Sequence, residues 1–251
     1  MSDRLRVAGV PFQAASLVQA TDRFVAACAT SEAAGPVRFV NAYSLSCASD
    51  QPAYRRLLTG PGVNFADGRP LALTLKWLSR RDLVPQVPGP EFFEACLDRG
   101  RRHGLRHYLL GGSPALLEQL VDAIGRRFPG AEVAGTHSPP FRPLSREEQR
   151  AQDELIRESG AHIVWVALGT PKQDFEATRI WRATGLHVAA VGAAFDFLAG
   201  TKPRAPRWMS RIGLEWLFRL ATEPRRLWRR YLFGNARFLR LVWREVRSGR
   251  R

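Results

Sequence analysis

Short apolar runs alternate with amphipathic stretches along most of the chain. Residues 37–41 (VRFVN) read as a buried strand, and 43–58 as the helix that follows it. A short strand is predicted at 63–66, ending on Asp67-Gly68, with a helix over 69–78. After the Pro/Gly break at 85–90 come a helix over 91–103 and a strand at 107–110 that ends in Gly111-Gly112. Between 116 and 127 the apolar residues fall at 116, 117, 120, 121 and 124, one face of a helix. A strand at 132–134, a proline-rich loop and a helix over 146–159 follow. The run 163–168 (IVWVAL) is the clearest core strand and closes on Gly169-Thr170-Pro171; a helix over 173–184 and a strand at 188–191 complete the series.

This alternation predicts an α/β fold, a Rossmann-like, mostly parallel sheet with helices on both faces. Ligands of such sheets sit outside the carboxyl ends of the strands. Those ends carry Asn41, Asp67-Gly68, Gly111-Gly112, the segment Gly169-Thr170-Pro171-Lys172-Gln173, and 192–196. Composition shifts at 200–206 (GTKPRAP), which predicts an α/β domain over 1–200 and a C-terminal appendage over 201–251.

Charge sharpens that boundary. The formal net charge is +15, and 15 of the 38 basic residues but only 3 of the 23 acidic ones lie in 201–251. The appendage thus carries +12, leaving a nearly neutral body, and a basic segment of this kind implies an anionic partner. Within 225–246 apolar residues recur at Leu227/Trp228, Tyr231/Leu232, Phe238/Leu239 and Val242/Trp243, with Arg226, Arg230, Arg237, Arg240 and Arg244 between them. This pattern reads as a basic amphipathic helix for an anionic membrane surface. The upstream set Trp208, Ile212, Trp216, Leu217 and Leu220 reads equally as core packing. No apolar run approaches the roughly 20 residues of a spanning helix, and the N-terminus lacks a signal-peptide core. The expected location is therefore cytoplasmic, peripheral on the inner face of the cell membrane. Three dispersed cysteines and five scattered histidines form no disulfide framework and no metal-ligand spacing, so neither metal nor cofactor is expected.

The candidate chemistry sits at the strand ends. Asp67 reads either as a turn aspartate before glycine or as a general base able to take a proton from a hydroxyl. Gly111-Gly112-Ser113 reads as a plain turn or as a phosphate cradle at a helix N-terminus. Lys172 and Gln173 open a helix beside Pro171, where free N–H groups face an anion or where Pro and polar residues merely start the helix. Asp196 reads as a partner for ribose hydroxyls or as a structural cap. There is no GxGxxG to hold a nicotinamide cofactor and no DxD pair to hold a metal on a diphosphate.

In this order the motifs resemble the WecG/TagA/CpsF glycosyltransferase family. The resemblance rests on Asn41 with Ser44 and Leu45, Asp67-Gly68, Val87-Pro88-Gly89, Leu110-Gly111-Gly112, Phe128-Pro129-Gly130, 167–173 (ALGTPKQ) and 191–196 (VGAAFD). It continues through Gly200, Lys202, 204–206 (RAP), 213–220 (GLEWLFRL) and 223–226 (EPRR), covering about 10–238. It implies an inverting, metal-independent enzyme that moves a sugar from a UDP-sugar to a polyprenyl-diphosphate-linked saccharide in exopolysaccharide or teichoic acid biosynthesis. By position it makes Asp67 the catalytic base and Asn41 the residue that positions the sugar. Gln173 then lines the nucleotide-sugar pocket, with Gly111, Gly112, Gly169, Thr170, Pro171, Lys172 and Asp196 as further substrate-binding candidates. Arg204, Arg207, Arg211, Arg219, Arg225 and Arg226 are the candidates for the diphosphate and the acceptor. Two positions depart from the family pattern: Gln86 stands where an arginine is common, and Phe39 where a threonine is common. The donor sugar is thereby left open among N-acetylmannosaminyl, glucosyl and uronosyl groups. The competing reading is a basic nucleic-acid- or anionic-surface-binding α/β protein without transferase activity. It leaves the strand-end cluster unexplained, so no nucleic-acid partner is expected; a homo-oligomer is compatible with the sequence.

Overall fold

The computed structural model describes residues 4–30, 33–79, 84–206, 208–209 and 213–248. Arg207, Arg211 and Ile212 lie outside the described residues, as do the side chains of Arg226, Arg230 and Tyr231. The first 36 residues, where the pattern made no prediction, form a hairpin of β1 (Arg4–Val7) and β2 (Val10–Gln13) and then a helix, α1 (Leu17–Ala29). Ala8 and Gly9 both take positive φ, 52° and 78°, as a two-residue hairpin turn requires. Ala-Gly lacks the Asn or Asp that usually signals such a turn, and four-residue strands leave little periodicity to read.

From there strands and helices alternate: β3 (Val37–Val40), α2 (Ala42–Asp50), α3 (Pro52–Thr59), β4 (Val63–Ala66), α4 (Arg69–Ser79), α5 (Gly89–Gly100) and β5 (Arg106–Leu110). Then come α6 (Pro114–Arg127), β6 (Glu132–His137), α7 (Arg146–Glu158), β7 (Ile163–Val166), α8 (Lys172–Thr184), β8 (His187–Ala190) and α9 (Ala194–Ala199). The chain ends in α10 (Glu215–Thr222) and α11 (Pro224–Ser248). The main sheet has six strands in the order β4-β3-β8-β7-β5-β6, flanked by helices. Its pairings β3–β8, β8–β7, β7–β5 and β5–β6 are parallel, as the strand–helix alternation predicts. The single helix expected over 43–58 is instead two. Gln51 is extended (φ −119°, ψ 96°) because the ring of Pro52 disfavours helical geometry in the residue before it, and Pro52 then opens α3.

Two compact units divide the chain. One contains the chain up to Leu17, Phe39–Pro88 and the chain from Arg204; the other contains Val18–Arg38 and Gly89–Pro203. The core of the first gathers Val7, Val10 and Phe12 of the hairpin with Val40, Leu45, Tyr54, Leu58, Leu71 and Leu75. α11 closes this core: Leu227 and Phe238 are buried, and Leu241 and Val242 pack against the same cluster. At Gly234 an added Cβ would lie 3.1 Å from the Tyr43 ring, so glycine lets α11 approach α2. Ala8 N–H donates to Glu245 Oε2 at 3.1 Å, tying the hairpin turn to the end of the helix.

The second unit is built on β5, β7 and β8. Val164, Val166, Val188 and Ala190 face Ile156, Ala177 and Ile180, while Phe24, Phe92 and Phe93 surround Trp165 with its fully buried indole, and Phe195 packs on Phe93. Trp165 Nε1 donates to His107 Nδ1 at 3.0 Å, which requires a neutral imidazole. Burial, assisted by the nearby charge of His162, pushes the His107 pKa down from 6.5 to about 4. The three cysteines are buried and form no disulfide.

Because the folded-state pKa of His107 lies below its unfolded value, its contribution to stability is complete above about pH 6.5 and is lost as pH falls towards 4. Urea denaturation between pH 7.5 and 4 should show stability falling through that window. The slope should shrink by about one bound proton in His107→Gln, whose carboxamide can still accept from Trp165.

Candidate active site

β3 and β4 end side by side in the first unit, with Asp67 N–H donating to Val40 O at 2.8 Å. Asn41, the first residue beyond β3, caps α2. Its Oδ1 accepts from Ser44 N–H at 3.1 Å, and Ser44 Oγ accepts from Asn41 N–H at 3.3 Å. This capping box occupies the carboxamide oxygen and leaves the NH2 end to donate elsewhere. Beyond β4 the chain turns at Gly68, whose φ of 90° favours glycine, and enters α4 through Arg69 and Pro70. The segment 84–88 runs beside β4, with Val87 N–H donating to Ala66 O at 2.9 Å, and thereby presents Gln86 and Pro88.

These strand ends and the two C-terminal helices enclose a cavity of about 300 Å³. Asn41, Asp67, Arg69 and Gln86 line one wall; Glu215, Trp216 and Arg219 of α10 and Asn235, Phe238 and Leu239 of α11 line the other. Arg219 Nε lies 3.5 Å from Glu215 Oε1, one helical turn away. The Gln86 Oε1 atom is buried without a hydrogen-bond partner, an acceptor left for a donor that enters the site. Phe39, the other departure from the family pattern, stacks on Phe65 at 6.2 Å between ring centres and does not line the cavity.

Of the residues expected from sequence, the cavity gathers Asn41, Asp67 and Arg219. Arg204 and Arg225 are exposed and do not line it. Sequence reasoning missed Arg69, Glu215, Trp216 and Asn235. Arg69 follows directly on Asp67-Gly68, so the strand-end rule could have included it; Asn235 carries no sequence signal apart from its place in a basic helix.

The remaining candidates belong to the second unit, where their local roles are largely structural. Gly111 (φ 118°) has no room for a side chain, since a Cβ would meet Ala167 O at 2.6 Å. At Gly112 (φ 82°) a Cβ would lie 2.7 Å from the Leu116 side chain. Ser113 caps α6 by accepting from Leu116 N–H at 3.2 Å. Gln173 is buried and uses both ends of its carboxamide internally: Oε1 accepts from Gly169 N–H at 3.1 Å, and Nε2 donates to Ala190 O at 3.2 Å. It thereby locks the β7 loop to the end of β8. Pro171 precedes α8 through a cis Thr170–Pro171 bond, and Lys172 at the start of that helix is exposed. Asp196 pairs with Lys202 at 3.0 Å, while its carbonyl accepts from Thr201 N–H at 3.0 Å, the behaviour of a residue that closes a helix end.

A carboxylate, a carboxamide donor and two guanidinium groups in one cavity, at the ends of adjacent strands, suit deprotonation of a hydroxyl beside a polyanionic leaving group. The model of the glycosyl transferase WecG/TagA/CpsF family matches residues 5–251, nearly the whole chain. The family's members are glycosyltransferases of cell-surface polysaccharide biosynthesis, which in general use a sugar-nucleotide donor and a lipid-linked acceptor. A match of this length, ending on the helices that wall the cavity, places the chain in the WecG/TagA/CpsF glycosyltransferase family.

Proposed function

We propose that the protein is an inverting glycosyltransferase that moves a sugar from a UDP-sugar to a polyprenyl-diphosphate-linked saccharide. The observation that carries this reading is the meeting of Asp67, Asn41, Arg69 and Arg219 around one cavity. In a single displacement the acceptor hydroxyl oxygen attacks the anomeric carbon and the bond from that carbon to the diphosphate breaks. The hydroxyl proton passes to the Asp67 carboxylate, and UDP leaves as the anion. Arg69 and Arg219 supply positive charge where the diphosphate charge develops, so the step needs no metal. The Asn41 NH2 group donates to the sugar, and the unpartnered Gln86 Oε1 accepts from a sugar hydroxyl or acetamido N–H.

Taken by themselves, the second unit's strand-end loops at Gly111-Gly112 and Gly169-Thr170-Pro171-Lys172 suit a phosphate, with the exposed Lys172 the cation able to meet it. In this reading Gln173 and Asp196 act by holding those loops. Arg225 stands in the first turn of α11, where the helix dipole disfavours a cation; an anionic partner offsets that cost.

Membrane docking belongs to the same proposal. No helix among the described residues is long and apolar enough to cross a membrane. On α11, Trp228, Leu232, Leu239 and Trp243 are exposed although α11 also buries Leu227 and Phe238. At 3.6 residues per turn the two apolar stripes lie roughly 120° apart, with Arg240 and Arg247 beside the exposed one, while Arg237 pairs with Asp50 of α2 and Arg244 lies on the side of Leu241. A helix with one stripe in the core and another in water beside arginines fits the surface of an anionic bilayer.

Asp67→Asn should lower transfer by about a thousandfold or more while UDP binding, followed by calorimetry, stays within about threefold. Near-normal turnover would remove Asp67 from the role of base. Asn41→Asp retains a good helix cap but replaces the donating NH2 with an acceptor, so thermal stability should hold while kcat/KM falls by about tenfold to a hundredfold. Replacing Trp228 and Leu232 together by serine should weaken co-sedimentation with phosphatidylglycerol vesicles several-fold without unfolding the protein; unchanged co-sedimentation would count against docking through this stripe.

A further inference from the structure

The catalytic cavity does not end at Leu239. That side chain is also a wall of an apolar groove lined by Trp77 of α4 and by Arg240, Val242, Trp243 and Val246 of α11. From Leu239 to Val246 the groove follows α11 for about two turns, on the order of 10 Å. Among the described residues Arg240 is its one charged lining residue. Trp77, Leu239 and Trp243 are 56%, 65% and 54% exposed, and Leu73, one turn before Trp77 on α4, is exposed as well. So much clustered apolar surface left in water marks a binding surface. Arg247 lies 3.6 Å over the Trp243 ring and holds one of its faces.

We infer that this groove seats the first isoprene units of the lipid-linked acceptor. The inference rests on the reading of the cavity as a transferase site for such an acceptor. Three observations favour a hydrocarbon chain. The groove shares Leu239 with the cavity, so an acceptor whose sugar hydroxyl meets Asp67 can continue its lipid end into it. Its lining is almost wholly apolar, which suits a branched hydrocarbon and offers a saccharide almost nothing to bond. Trp77 and Trp243 reach it from two different helices, so the chain is gripped from both sides rather than lying on one helix face. Chain binding therefore orients the acceptor saccharide beside Asp67.

The test is direct binding to the full-length protein in buffer free of vesicles and detergent. Farnesyl diphosphate and inorganic diphosphate are titrated calorimetrically into the wild type, Trp77→Ser and Trp243→Ser. Both substituted residues are exposed and stand outside the catalytic cavity, and circular dichroism confirms the fold of each variant. The wild type should bind farnesyl diphosphate at least about tenfold more tightly than inorganic diphosphate. Each variant should lose most of that difference while binding inorganic diphosphate as before. Equal affinity of the wild type for the two ligands overturns the proposal. So does a preference that survives both substitutions. Variants that lose vesicle co-sedimentation yet keep the farnesyl preference show that the bilayer itself covers the groove. Sedimentation that changes with protein concentration and is abolished by the substitutions shows a second copy there, and that too overturns it. Since no turnover is read, absence of sugar transfer would count against the proposed reaction and not against the groove.

Discussion

The structure of the first unit depends on the packing of α11 against α2. Gly234 spares the Tyr43 ring a Cβ that would crowd it at 3.1 Å, and Phe238 and Leu227 fill the core built by the hairpin and by β3 and β4. Burying two such side chains contributes on the order of 3–6 kcal/mol, enough to hold a long basic helix against its own charge repulsion. Everything else on α11 follows from that docking. Once Leu227, Gly234 and Phe238 face inward, Asn235 and Leu239 must line the cavity. Trp228, Leu232 and Trp243 are left in solvent.

The same packing joins two demands that a free tail would separate. A detached amphipathic helix could bind a surface but could not supply a wall to a site at the ends of β3 and β4. Here one helix presents Phe238 to the core, Asn235 to the cavity and Leu239 to both cavity and groove. The cationic groups of the cavity, Arg69 and Arg219, come instead from α4 and α10.

The second unit answers a different requirement. Its strand-end loops contain glycines where the backbone itself is crowded, as at Gly111 against Ala167 O, and a buried glutamine whose amide joins two loops. These contacts fix the path of the loops from within the protein. A glycine conserving loop shape and a glycine clearing space for a phosphate look identical in a sequence; only the nearest atoms distinguish them.

The alternation of apolar strands with amphipathic helices determined the α/β class and the nature of the main sheet, because buried parallel strands and helix faces differ in period. It also placed Asn41 and Asp67 at strand ends, since strand-end position is a local property. Helix 43–58 was misread as continuous because a proline at the first turn of a new helix has the same composition as a proline breaking an old one. The hairpin was invisible for want of length and of a typical turn pair. Tertiary structure alone decided which of the tail's residues face inward. Leu227 and Trp228 are equally apolar neighbours on one helix, yet the first is buried and the second exposed, because only the shape of the surface beneath α11 tells the two stripes apart. It also decided that Arg219, Glu215 and Asn235 share a cavity with Asp67, a proximity across some 150 residues that no local pattern encodes.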